Sequence, residues 1–209
     1  MHSRVVKRVG TSIISVTLVL GGLLPELPAL ASSGEPPFEI VFPQEVSATH
    51  FSSTYGARRS GGRRHRGNDL LAPRMTEVYA IADGVVVHVG INRLSGRNVR
   101  ILHEGDWTSY YLHLNNDTPG SDDGSAPWTF TVAPGIEVGA GVDAGQLIGW
   151  SGDSGNAEGT TPHTHFELHS DDRAIDPFDL LSEAQQRALA HEAWLTRAVV
   201  RDLPDYPID

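Results

Sequence analysis

Cysteine is absent from all 209 residues, and its absence excludes structural disulfides, a thiol nucleophile and a lipid-bearing N-terminal cysteine. A metal site in this chain must therefore be built from histidine, aspartate or glutamate. Lysine is nearly as scarce: it occurs once, as Lys7, so every later basic side chain is arginine. Basic residues number 16 against 26 acidic ones, which excludes nucleic acid as an expected partner. The shortage of positive charge has one local exception. "YGARRSGGRRHRGND" packs Arg58, Arg59, Arg63, Arg64 and Arg66 into a short Gly-rich stretch. Such a patch suits the carboxylates of an anionic polymer or peptide, or is simply a solvated loop.

Long apolar runs are missing except near the N-terminus. Arg4, Lys7 and Arg8 are followed by no charge until Glu26, and then by Ala29-Leu30-Ala31. A basic start, an apolar stretch and a small-x-small site predict a secretory signal peptide over residues 1–31, cleaved after Ala31. An uncleaved anchor is the alternative, because the run approaches spanning length; Pro25, Glu26 and Pro28 favour cleavage. A secreted chain without a stable membrane span is the expectation. Its oligomeric state is left open, with a monomer expected. Without residues 1–31, 13 basic and 25 acidic side chains remain, a net charge of −12.

Residues 32–37 read as a linker and 38–181 as the folded domain. Helical periodicity is lacking from Glu77 to Gly149. The segments "EVYAIADGVVVHVG", "RNVRILHEG", "WTSYYLHLN" and "QLIGWSG" are instead β-branched or aromatic runs bounded by Gly, Asn and Asp. They predict an all-β, antiparallel sandwich or open barrel. Residues 182–209 supply one C-terminal helix and a tail, with Ser182 as N-cap and Leu189, Trp194 and Leu195 as the apolar face. The polar connection over 115–135 is long for a compact domain, so it is expected to be functional or mobile.

Three stretches concentrate groups able to bind a metal. In "HRGND", His65 and Asp69 are four positions apart; in "YYLHL", Tyr111 and His113 are expected on one face of a strand, opposite Leu112 and Leu114. In "PHTHFELH", alternation puts His163, His165, Glu167 and His169 on one face and Thr164, Phe166 and Leu168 on the other. Imidazole nitrogen and carboxylate oxygen are ligands that zinc accepts, and a catalytic zinc takes three protein ligands with a position left for water. His65, Asp69, His163 and His165 together make four. One histidine of the HxH pair is thus better suited to proton transfer, and spacing does not say which.

These motifs resemble the M23 zinc metallopeptidases, the lysostaphin- and LytM-like endopeptidases of peptidoglycan. The similarity runs from about Phe51 to Leu181. It includes "FSSTYGARR", the HxGxD signature in "HRGNDLLAP", "EVYAIADGVVVHVG", "GRNVRILHEGDWTSYYLHL", "VDAGQLIGWSGDSGNAEGTTPHTHFEL" and "AIDPFDLL". The resemblance implies the LytM (duplicated hybrid motif) type of β-fold, a peptidoglycan peptide as substrate and a cell-wall-associated location. It implies Zn2+ bound by His65, Asp69 and His165, with His113 and His163 as the catalytic pair. His103 is read as structural, His88 and His169 as surface or supporting groups, and Glu167 as a group orienting a ligand or an exposed strand residue.

Departures from the family pattern are the long connection after "HLN", expected to rim or occlude the groove, Asn68 where an aliphatic residue is commoner, and "RMTE" in place of a Gly-containing turn. None removes an implied ligand. The alternative reading is a non-enzymatic relative that binds peptidoglycan or activates another hydrolase; such relatives lose metal or catalytic positions that are intact here. A zinc amidase needs other ligand motifs.

Overall fold

The computed structural model describes residues 34–201. The expected signal peptide with its cleavage point, and the tail beyond Arg201, lie outside the described residues. β-branched and aromatic runs form the strands β1 (Asn68–Leu71), β2 (Glu77–Tyr79), β3 (Gly84–Asn92), β4 (Gly96–Leu102) and β5 (Trp107–Leu114). They continue as β6 (Gly141–Val142), β7 (Leu147–Trp150), β8 (His163–Ser170) and β9 (Arg173–Ile175), followed by the helix α1 (Phe178–Arg201). The main sheet runs β1-β8-β5-β4-β3-β6, with β9 also on β8, while β2 and β7 make a separate ribbon. Every strand pair is antiparallel. The expected all-β antiparallel fold with a C-terminal helix is what the chain adopts. Among the described residues, no helix is long and apolar enough to cross a membrane.

Ribbon and sheet share one core. Val78 and Ile148 from the ribbon join Tyr111, Ile101, Phe166 and Leu168 from the sheet, all fully buried. Side-chain alternation in β8 is kept: Thr164, Phe166 and Leu168 are inaccessible to solvent on the core face. Truncating Phe166 to alanine would cost about 3–5 kcal/mol at such a site. That anchoring gives the opposite face of β8 a fixed base.

The helix differs from expectation. It begins at Phe178, four residues before Ser182, so the boundary drawn between 181 and 182 falls inside it. Asp176 Oδ1 accepts from the Phe178 amide at 3.0 Å, and Pro177 lacks the amide hydrogen that a helix start leaves unpaired. Ser182 is left to bond back to the Phe178 carbonyl. Leu181 and Ala184 are buried, with Leu180 and Ala188 packed against the core, whereas Leu189, Trp194 and Leu195 are exposed. The true apolar face includes two alanines, which carry a weaker signal than the large residues on the outer side.

Gly67, the glycine of the HxGxD motif, carries a steric duty. A Cβ there would fall on the Phe166 carbonyl oxygen in β8. Gly67→Ala is therefore expected to push β1 off β8 and lower stability by about 1–3 kcal/mol. Urea titration of the variant checks this, and wild-type stability would contradict the close approach.

His103 has the structural role expected of it. It is buried, with Nδ1 donating to the Asp83 carbonyl at 2.8 Å and Nε2 2.7 Å from Ser109 Oγ. The Tyr111 hydroxyl lies 3.1 Å from that oxygen and accepts from the Ile81 amide. Burial pushes the His103 pKa down, which keeps this chain of hydrogen bonds uncharged.

Candidate active site

Strand register assembles the cluster. Pairing of β1 with β8 sets Asp69 opposite His165 and Leu71 opposite His163, and β5 brings Leu112 against His165 from the other side. His113 arrives by a break in alternation. Its φ is +61°, in the left-handed region, so it does not share a face with Tyr111 as expected. Tyr111 is fully buried against Phe166, while Leu112 and His113 both line the cleft and Leu114 returns to the core. The His113 amide meanwhile donates to the Ser95 carbonyl at 2.9 Å.

Three ligand-type atoms converge. His65 Nε2 lies 2.9 Å from Asp69 Oδ1 and 2.8 Å from His165 Nδ1, and the latter two are 2.8 Å apart. His163 stands just outside this triangle, its Nε2 3.8 Å from Asp69 Oδ1. The His113 ring lies 5.1 Å from that of His163 and 5.9 Å from that of His165. His65, Asp69, His113, His163 and His165 are thus brought together in one place.

Each imidazole spends its N–H on the surrounding scaffold. His65 Nδ1 donates to the Thr54 carbonyl at 2.9 Å, His113 Nδ1 to Ser154 at 2.8 Å, and His163 Nδ1 to Thr161 at 2.8 Å. His165 is turned the other way, its Nε2 donating to Glu167 Oε1 at 3.1 Å. A neutral imidazole has one donor and one acceptor nitrogen, so all four rings present lone pairs inward. Two imidazole lone pairs and a carboxylate oxygen cannot satisfy one another at these distances. The set fits a divalent cation, and its nitrogen and oxygen donors fit zinc.

The electrostatics agree. Burial alone would raise the Asp69 carboxyl, but His165 and His65 hold it well below the usual carboxylate range. For His165, burial opposes a charge, yet the carboxylates of Asp69 and Glu167 outweigh it and raise the pKa. The two carboxylates favour positive charge at this ring, a demand that a bound cation meets as a proton would. His113 differs: burial, then the charge of His163, push it down to about 4, so its ring is neutral at physiological pH.

Behind His165 stands a short relay. Glu167 Oε2 accepts from His169 Nε2 at 2.6 Å, and the His169 ring stacks on Tyr110 at 4.1 Å. Burial would raise Glu167, but His165 and His169 hold it down to about 2. His169 is 2% exposed, which excludes the surface role allowed for it, and Glu167 is no exposed strand residue either. His88 sits half-buried on β3 and does not line the cleft. Removing a carboxylate that orients a metal-binding imidazole typically weakens metal affinity 10–100-fold. Glu167→Gln is expected to do so here, measured by competition with a chromophoric chelator; unchanged affinity would show that Glu167 only fills space.

Some contributors carried no recognisable signal in the sequence. Arg59 reaches Asp69 Oδ2 at 2.6 Å, occupying the carboxylate oxygen turned away from the triangle. The backbone carbonyls of Thr54, Thr161 and Ser154 leave no mark in the sequence, because any residue type offers one. Asn68, unusual at its position, is fully buried and accepts from the Thr54 amide at 3.1 Å, which steadies the segment supporting His65. In "RMTE", Met75 takes the left-handed conformation (φ +66°) without glycine, its amide bonded to the Ser151 carbonyl.

The cluster lies in an open cleft of about 890 Å³. Its walls include Leu94, Ser95, Asn156 and Thr160, together with the arginine-rich segment before His65. No residue of 115–135 lines it, so the long connection neither rims nor occludes the groove. Arg74 instead holds that connection in place, reaching Asp117, Asp122 and Asp153 at 2.6–3.0 Å.

The antiparallel β-domain thus carries a His–Asp–His triangle and two further histidines in one open cleft. Residues 63–122 match the model of Peptidase family M23, and the described domain is of that family, of the lysostaphin and LytM type. The chain is 33% identical over 152 residues to the L-Ala–D-Glu endopeptidase of Bacillus subtilis, covering 67% of this chain and 42% of that protein. It is 33% identical over 129 residues to a glycyl-glycine endopeptidase of Staphylococcus capitis, covering 59% and 30%. The catalytic domain of the antimicrobial peptidase lysostaphin from Staphylococcus simulans superposes with a TM-score of 0.51 at 28% identity, over 66% of this chain and 95% of that one. The chain spans less than half the length of either curated relative.

Proposed function

We propose that this chain is an exported, zinc-dependent endopeptidase that hydrolyses peptide bonds in bacterial peptidoglycan, in stem-peptide cross-links or bridges. The observation carrying this reading is the inward turn of four imidazole lone pairs around one carboxylate, in a cleft open to a polymer. His65 Nε2, Asp69 Oδ1 and His165 Nδ1 would hold the zinc. A zinc ion bound there supplies Lewis acidity and acidifies water at neutral pH. His163 Nε2, outside the triangle with its Nδ1 braced on the Thr161 carbonyl, accepts the proton of the attacking water and returns it to the departing amine. His113, kept neutral by burial, turns Nε2 to the same space and shares that proton transfer or steadies the charge developing on the carbonyl oxygen. A purely binding role gives no account of the second pair of imidazoles. The relatives' named targets, a glycyl-glycine bond and an L-Ala–D-Glu bond, both belong to peptide chemistry of this kind.

Mass spectrometry of purified peptidoglycan digested with and without a chelator tests the reading. Released fragments ending at a hydrolysed peptide bond, lost with chelator and restored by zinc, are expected. Digestion indifferent to chelator, cleavage of the sugar–peptide link, or no cleavage at all would overturn it.

A further inference from the structure

The arginines before His65 form a hairpin that is electrostatically unsatisfied. Arg58 bridges Arg64 across the two arms, and the Arg59 amide donates to the Arg63 carbonyl at 3.0 Å, so arginine faces arginine twice. The turn at Ser60–Gly62 uses Gly61 and Gly62 at φ of +71° and +75°. Like charges directly opposite one another destabilise a strand pair. The chain has acidic side chains in excess, yet among the described residues only Arg59 of this group is paired with one, Asp69. Arg63 bonds to Ser60 and Arg64 to the Gly56 carbonyl, which leaves donors free on both guanidinium groups. All four of Arg59, Arg63, Arg64 and Arg66 line the cleft that holds the histidines. The carboxylates lining it, Asp69 and Glu167, are already engaged by histidines.

We infer that this hairpin is the specificity wall of the cleft and selects peptide substrates bearing free carboxylates beside the scissile bond, over neutral peptides. The inference rests on the peptidase reading above and deepens it. The wall shares a cleft with the histidine cluster, so the anion it binds is carried on the molecule being cut. Guanidinium matches carboxylate in two parallel hydrogen bonds, and an anion supplies what the facing arginines lack. A peptide whose carboxylates are amidated keeps its shape and loses this attraction.

The test uses the zinc-loaded full chain with two synthetic cross-linked stem peptides, one with free carboxylates and one with those groups amidated. Hydrolysis is followed by chromatography and binding by anisotropy. Wild-type protein is expected to prefer the free-acid peptide about tenfold or more, as charge-assisted hydrogen bonds of this kind warrant, and to lose preference as salt rises. Arg63→Gln/Arg64→Gln should bring the ratio toward one, Arg63→Glu/Arg64→Glu should invert it, and Arg187→Gln, on α1 where the guanidinium pairs with Glu39 outside the cleft, should leave it unchanged. Equal treatment of the two peptides by the wild type, or a preference that survives both double variants, overturns the inference. Selective binding without hydrolysis would sink the peptidase reading while sustaining the inference; hydrolysis without selectivity would do the reverse. Inorganic phosphate displacing both peptides equally would mark the hairpin as a general anion patch and also overturn it.

Discussion

Replacing His165 with alanine is expected to strip zinc from the protein and to reduce peptide hydrolysis to background. Its Nδ1 is one corner of the triangle, 2.8 Å from both other corners. Its Nε2 carries the orienting contact to Glu167. Two protein ligands make a weak zinc site, since catalytic zinc ordinarily has three. The substitution also deprives the buried Glu167 carboxylate of one partner, leaving only the 2.6 Å contact with His169. Circular dichroism belongs beside the metal analysis, to separate lost zinc from lost fold. A folded His165→Ala protein with its zinc intact would remove this residue from the ligand set.

His163→Ala is expected to behave differently: zinc stays near one equivalent while kcat falls about 10²–10⁴-fold, the usual scale for a lost proton-transfer group. His163 Nε2 is 3.8 Å from Asp69 Oδ1, outside the 2.8–2.9 Å triangle. Among the described residues, its other side-chain hydrogen bond is to the Thr161 carbonyl, so the three-ligand triangle closes without this ring. Metal content and turnover measured on one preparation check the split. Loss of zinc from this variant, or full activity, would contradict it.

Much of the site was legible because β8 obeys the simplest rule of strand geometry. Thr164, Phe166 and Leu168 go to the core and the four polar side chains go opposite, as a period of two requires. His113 broke that rule. A left-handed φ is a property of the backbone, and "YYLHL" contains no glycine to announce one, so a period of two wrongly puts His113 on the face of Tyr111. The depth of His169 is hidden for another reason: β9 and β5 flank this end of β8 on opposite edges, and Tyr110 of β5 covers the ring. Burial of a polar face is a tertiary fact that alternation does not encode. In α1 the large exposed residues outweighed the small buried alanines in the pattern, which displaced the expected face and start. The contact of Arg59 with Asp69 depends on a hairpin folding back over β1, and nothing in a run of arginines distinguishes that member.

The division of the HxH pair is the central claim, because it separates the residue that would hold metal from the one that would move protons. X-ray absorption at the zinc edge of the wild-type protein tests it most directly. The account predicts two imidazoles, those of His65 and His165, with the remaining coordination from oxygen, the Asp69 carboxylate among it. A spectrum requiring three imidazoles would put His163 or His113 on the metal and contradict the account.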